Sequence, residues 1–361
     1  APLARPFYNL KKSPAFLAVF LVLVLIPFLA LPVSAAPIIA NHISANLSQI
    51  PLDAINDAKA NLHIAYGHTS HGNQIIVGMN GLTTFPNAPY GNSTYRWNNG
   101  GTGGALDLRD ELGNYAMPYG AADLGNPDRT KWANASRWYL EEHPDVNVII
   151  WSWCGQAGWA SEEDINTYLS LMNGLESEFP EVHFVYMTGH LDGSGGSGNL
   201  NERNEQIRAY VRANDKILYD FADIESYDPD GLTNYLLLNA DDGCNYDGGN
   251  WAVAWQDSHT EGIDWYDCSP DHTQALNGNL KAYAAWWLWA RLAGWDGIPE
   301  SPDAGDMVGV FRNSDHRFIL KNGTATTTVN WGLTIDSPVS GDWNGDGMGD
   351  IGVFRSSSHR F

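Results

Sequence analysis

The sequence predicts an α/β domain of the flavodoxin-like, three-layer kind, with a mostly parallel sheet, followed by a small all-β repeat region. Three observations predict it. Short apolar runs at 62–66, 146–151, 182–187 and 217–221 are bounded by polar residues, as strands covered on both faces are. Helical patterns stand between these runs, and that alternation favours a parallel sheet. After Pro299 the composition changes and a block of residues recurs almost unaltered.

Taken in order, residues 1–35 read as a secretory signal. Arg5, Lys11 and Lys12 form a basic start, residues 15–31 are almost purely apolar, and Val33-Ser34-Ala35 offers a cleavage site before Ala36. Pro27 and Pro32 disfavour a regular spanning helix, so cleavage is expected over an uncleaved anchor. Residues 36–298 are the main domain. A helix is expected at 52–62, then the first strand at 62–66. A Gly-bounded turn, Gly67 to Gly72, leads into a helix that begins near Gln74. Further helices are expected at 128–142, 161–178, 201–214 and 274–292. Ser161 and Asp164 have capping-box spacing. Residues 189–198 and 239–262 are Gly- and Asp-rich loops, the second long enough to be a functional cover. In parallel sheets, sites form at the carboxyl ends of strands, which selects 67–72, 152–156, 188–192 and 222–225.

Composition narrows the function. The 361-residue sequence has a formal net charge of -22, which opposes binding to a nucleic-acid backbone and suits an exported protein. Cys244 and Cys268 share one polar region and are expected to pair as a disulfide in an exported chain, leaving Cys154 over. Fifteen tryptophans is a high count, and exposed ones would serve as platforms for sugar rings. The sequence starts without methionine and stops inside a repeat, so it is expected to be a piece of a longer reading frame.

The chemistry centres on Ser70. A serine on a tight strand-to-helix turn sits where helix N–H groups can stabilise an oxyanion, although such a serine can equally just cap the helix. His68 and His71 flank it. His272, just before the last helix, is the best base, with Asp271 adjacent. The Gly-rich turn Asn98 to Gly104 and the amide of Gln156 could add oxyanion donors. This order of parts resembles the SGNH hydrolase superfamily of esterases and lipases. Ser70 matches its serine, Asn99-x-Gly101-x-x-Gly104 (or Asn98-x-Gly100-x-x-Gly103) its glycine turn, and His272 its histidine. The resemblance implies Ser70 as nucleophile, His272 as base, Asp271 beside it, and Gly101 and Gln156 at the oxyanion. The sequence departs from the pattern in three places: Gly67-His68-Thr69-Ser70 replaces Gly-Asp-Ser, Gln156 stands in for an asparagine, and Ser269 occupies the position three before His272.

The substrate expected is an acyl or acetyl ester on carbohydrate, with no cofactor for catalysis and no nucleic-acid partner. Other readings stay open. His68, His71, His190, Asp192, Asp271 and His272 could hold zinc for a metal-dependent hydrolase, though without tight ligand spacing. Cys154 is either a thiol nucleophile or a buried small residue. Asp220, Asp223 and Glu225 could serve glycoside cleavage. A non-catalytic sugar-binding or adhesion protein would use the Trp-rich stretches 151–159, 251–265 and 286–295.

Residues 299–302 read as a linker. In 303–361, the block from Gly309 to Phe318 recurs from Gly352 to Phe361. Asp342, Asn344 and Asp346 alternate before the second copy, with Gly347 at the sharp turn and Asp350 as a further ligand. This is calcium-loop spacing. The tail resembles the FG-GAP or VCBS type of extracellular repeat.

Overall fold

The computed structural model describes residues 36–113, 118–298 and most of 308–355. The expected signal at 1–35 lies outside the described residues. In chain order, β1 (Ile38–Ala40) leads to α1 (Leu52–Asn61), β2 (His63–Gly67) and α2 (Ser70–Leu82). Two short strands follow, β3 (Trp97–Asn98) and β4 (Leu106–Arg109). Then come α3 (Lys131–Glu142), β5 (Val148–Trp151), α4 (Glu162–Glu178), β6 (His183–Met187), α5 (Asn199–Ala213), β7 (Ile217–Tyr219) and α6 (Phe221–Ile224). A hairpin of β8 (Asn245–Tyr246) and β9 (Gly249–Asn250) runs into α7 (Trp251–Ser258), and α8 (Ala275–Leu292) follows.

The main sheet has seven strands in the order β1-β7-β6-β5-β2-β4-β3, and every neighbouring pair is parallel. The five central strands, numbered along the chain, lie in the order second, first, third, fourth, fifth. That is the flavodoxin-like order, whose switch point falls here between β2 and β5. Alternate residues of each strand feed two cores. Ile64, Tyr66, Val148, Ile150, Val185 and Met187 pack with α1, α2 and α8 on one face. Ala65, Ile149, Trp151, Phe184 and Tyr186 pack with α3, α4 and α5 on the other. This two-faced burial is why the strands read as unbroken apolar runs.

Several expectations meet the structure directly. Ser161 caps α4, with the reciprocal Asp164 bond of a capping box. The 239–262 segment is not a structureless loop, because it folds into the β8–β9 hairpin and α7. The expected Cys244–Cys268 disulfide is corrected, since all three cysteines are free. Cys244 Sγ lies 3.3 Å from Thr273 Oγ1, whereas Cys268 Sγ lies 3.5 Å from the Ala275 carbonyl, so each thiol has its own partner. Burial pushes both thiols up to about 12. In the tail, β10 (Val308–Arg312), β11 (Arg317–Asn322) and β12 (Ala325–Asn330) form one antiparallel sheet. β13 (Ser337–Gly341) and β14 (Asp350–Phe354) form another. β10 and β14 carry the repeated Gly-Val-Phe sequence.

α2 and α8 pack tightly because glycines face each other: a Cβ on Gly78 would lie 2.0 Å from the Gly278 carbonyl oxygen. The contact encloses Lys281 of α8, whose side chain is 0% exposed. Lys281 Nζ donates to Glu225 Oε2 at 2.6 Å and to Gln74 Oε1, and sits 3.8 Å above the Phe221 ring. Removing one partner of a buried pair leaves the other charge unmatched, so Lys281→Met is expected to lower the unfolding free energy by about 3–5 kcal/mol. Adding Glu225→Gln to that variant should recover part of the loss. Urea unfolding followed by tryptophan fluorescence checks this, and an unchanged midpoint in Lys281→Met would refute it.

Candidate active site

Two turns meet at the switch point. β2 ends at Gly67 and α2 begins at Ser70, while β5 ends at Trp151 and the chain continues through Ser152 to Cys154. Gly72 in the first turn of α2 permits the close approach. A Cβ there would lie 2.2 Å from Ser152 Oγ and 2.4 Å from His68 Cβ. The result sets Ser70 Oγ 3.9 Å from Cys154 Sγ. His272 arrives from the loop before α8, and its Nε2 lies 3.0 Å from Ser70 Oγ. His272 adopts the left-handed backbone region, with φ of 64°. Gln74 Nε2 fixes that bend by donating to the Asp271 carbonyl at 2.6 Å. The Asp271 carboxylate accepts from Asn73 Nδ2 at 2.9 Å, so it holds the loop to α2 and does not pair with the His272 ring.

A second set of groups lies beside the first. His71 Nδ1 is 3.1 Å from Cys154 Sγ, and its Nε2 is 3.0 Å from Asp242 Oδ2. Asp242 comes from the turn before β8. Burial opposes charge on His71, but the bonds to Asp242 and Cys154 outweigh it and raise the imidazole to about 9. The His71 bond lowers the Cys154 thiol to about 7 against the opposing effect of burial, with help from Thr69. The contact therefore favours a proton on His71 and negative charge on the Cys154 sulfur. His190 stacks on His71 with centroids 3.7 Å apart and planes 2° apart, and His272 stacks on its other side at 4.5 Å. Burial and the neighbouring His71 charge lower His190 and keep it neutral. Its Nδ1 faces the Leu191 carbonyl at 2.7 Å, while its buried Nε2 has no partner.

His71, Asp242 and His272 offer ligand atoms within 4.8 Å of one another. A metal ion binds about 2.0–2.1 Å from nitrogen along the imidazole lone pair. Both His71 nitrogens are already engaged, Nδ1 with Cys154 and Nε2 with Asp242. The hydrogen bonds of His71 form a path for proton transfer. His68 and Asp192 stand apart from it. His68 Nε2 bonds Asp110 Oδ1 at 2.5 Å, and Asp192 accepts from Ser194.

The predicted oxyanion donors are not brought to Ser70. Gly101 packs against Asp107, and Asp107 pairs with His63, the first residue of β2. That is the amino end of the sheet, opposite the site. The Asn98–Gly104 turn is the link between β3 and β4, with the Gly100 N–H donating to Asp107 Oδ1 at 2.7 Å. The Gln156 amide is committed elsewhere. Its Nε2 donates to Asp123 Oδ1 at 3.1 Å, and its Oε1 accepts the Cys154 N–H at 2.9 Å. Thr69 Oγ1 also turns to Asp123, at 2.8 Å, so α2 begins without a side-chain cap.

Other candidates resolve into structure. Asp220 pairs with Arg208, Asp223 with His42 and Glu225 with Lys281, so these three carboxylates do not form a catalytic pair. Trp151, Trp251, Trp286 and Trp289 are buried in the cores. Trp159 is 71% exposed, and its ring would lie 3.1 Å from a Cβ on Gly155, beside Cys154. Asp342, Asn344 and Asp346 lie outside the described residues. Asp350 begins β14 and pairs with Gly341 at the end of β13. Sequence reasoning missed Asp242. Its one signal was its place in a polar Asp-Asp-Gly-Cys turn beside a cysteine.

No protein-family model matches the chain, and neither a curated protein nor a solved structure does so.

The site's charge pattern has a direct spectroscopic consequence. Histidine NMR should show His71 holding its proton to about pH 9 while His190 stays neutral down to pH values below the ordinary histidine range. Asp242→Asn should move the His71 midpoint down. A His71 midpoint in the ordinary range near 6.5 would contradict the assignment.

Proposed function

We propose that the chain is a hydrolase of acyl esters in which Ser70 is the nucleophile and His272 the base. The 3.0 Å contact between Ser70 Oγ and His272 Nε2 carries this reading, because it joins residues 202 positions apart at the sheet's switch point. The order of the central strands, the serine after the first of them and the histidine before the last helix all support a likeness to the SGNH hydrolases.

In this mechanism Ser70 Oγ–H donates to His272 Nε2. The oxygen attacks the ester carbonyl carbon as His272 takes the proton. The first-turn N–H groups of α2, which lack a side-chain cap, face the developing oxyanion and replace the donors expected from Gly101 and Gln156. His272 then protonates the leaving alcohol, and water repeats the sequence on the acyl-enzyme. The substrate class is an acyl or acetyl ester on carbohydrate. Trp159 supports it, as an exposed indole at the lip of the site suited to stacking on a sugar ring. Export follows from the reading of residues 1–35.

Hydrolysis of p-nitrophenyl acetate and of acetylated oligosaccharides tests the reading. Ser70→Ala and His272→Ala should each lower turnover by about 10³-fold or more. Asp271→Ala should stay within about threefold of the parent, against the ~10⁴-fold loss expected for a true triad carboxylate. Full turnover in Ser70→Ala would overturn the proposal.

For the tail we infer a calcium ion held by Asp342, Asn344, Asp346 and Asp350. The pairing of Gly341 with Asp350 supports it, since it sets the residues that flank the acidic sequence side by side. Calorimetric titration of the chain should show calcium binding that Asp346→Ala removes. Equal binding in that variant would place the ion elsewhere.

A further inference from the structure

We propose that Cys154, His71 and Asp242 form a second nucleophilic centre in the same crevice, one that takes the acyl group of an activated ester or thioester as a thioester on Cys154. The three groups have the full nucleophile–base–orienter arrangement. Cys154 Sγ is 3.1 Å from His71 Nδ1, and His71 Nε2 is 3.0 Å from Asp242 Oδ2. The Ser70–His272 pair has no orienting carboxylate among the described residues, so the more complete geometry is the one built on sulfur. Access is shared, because the thiol is half-buried and lies 3.9 Å from Ser70 Oγ. The other two cysteines have no such partner. Cys244 is buried against Thr273, and Cys268 lies against Ala275 and Asn279.

The step balances with groups on the page. The Cys154 thiolate forms a bond to the carbonyl carbon, and the bond from that carbon to the leaving oxygen or sulfur breaks. The leaving group departs with the proton that His71 Nδ1 carried. Return of the acyl group to water, with the water proton passing to His71 Nδ1 and Cys154 leaving as thiolate, is slow, so the thioester accumulates and adds little to ester turnover. The Asp242 carboxylate accepts the His71 Nε2–H bond throughout. Around the pair stand Thr69 just before α2, Ser70 at its start, His190 after β6, His272 before α8 and Asp242, with Glu225 bonded to the Leu191 N–H next to His190. The buried Nε2 of His190, without a partner, adds an acceptor beside Gly155.

Two measurements on the full chain test the proposal. Iodoacetamide labelling read by peptide mass should alkylate Cys154 ahead of Cys244 and Cys268, with a pH midpoint near 7. Asp242→Asn should move that midpoint up by about one unit, toward the ordinary thiol value of about 8.5. In the Ser70→Ala chain, p-nitrophenyl acetate should leave an acetyl group on Cys154 that neutral hydroxylamine removes. An ordinary thiol midpoint in the parent chain, or the lack of any acetyl group on Cys154, would overturn the proposal. The two readings fail separately. Lost esterase activity in Ser70→Ala with an inert Cys154 sinks only this one, and full activity in Ser70→Ala with acetylated Cys154 sinks only the serine mechanism.

Discussion

The site depends on one buried ion pair, Lys281 with Glu225, both 0% exposed. Burying two charges costs several kcal/mol per ion, so such a pair persists only where the remaining donors and acceptors are also satisfied. Here the satisfying partners are the loops of the site. Glu225 Oε1 accepts the Leu191 N–H, which fixes the turn that carries His190. Lys281 donates to Gln74, and Gln74 in turn donates to the Asp271 carbonyl, one residue before His272. A single pair under α2 and α8 thus sets the bend that aims His272 and the turn that seats His190. Burial lowers Lys281, and Glu225 counters that effect.

Two of the stacked imidazoles, His71 and His190, are shifted in opposite directions. His71 lies between two acceptors, the Cys154 sulfur and the Asp242 carboxylate, and both its N–H groups have a use only when it is protonated. His190 has one carbonyl acceptor and lies 3.7 Å from that cation, so a second proton would face both desolvation and like charge. Placing a neutral ring against a charged one lets the stack form without repulsion. It also leaves the buried Nε2 of His190 near Gly155 without a hydrogen-bond partner.

The central strands were legible because burial on both faces gives unbroken apolar runs at 146–151 and 182–187. β4 was not, because Leu106-Asp107-Leu108-Arg109 alternates with charges. Those charges are buried as an ion pair at 2.8 Å, a compensation that only tertiary structure reveals. β1 and β3 are too short to announce themselves. Ser70 and His272 were readable from their places relative to a strand and the last helix. Gly101 misled because a Gly-rich turn has the same local sequence at either end of a sheet, and its chemistry depends on which end. His71 was seen, but its role was hidden. Its partners lie 83 and 171 residues away, and Asp242 sits in a segment read as a loop that covers the site, with no residue of it singled out.

The thiolate–imidazolium pair also escapes the usual thermodynamic signature. A histidine raised to about 9 contributes stability that is present below its unfolded value and lost as pH rises toward 9. A thiol lowered to about 7 contributes stability that is present above its unfolded value and lost as pH falls toward 7. Between about pH 7 and 8.5 the native pair holds one proton, on His71, and the unfolded pair also holds one, on sulfur. The two slopes oppose and cancel across that window. Within that window folding moves a proton from sulfur to nitrogen with no net change in protons bound. The proton's new seat is itself held, because the Asp242 carboxylate lies 3.0 Å from His71 Nε2.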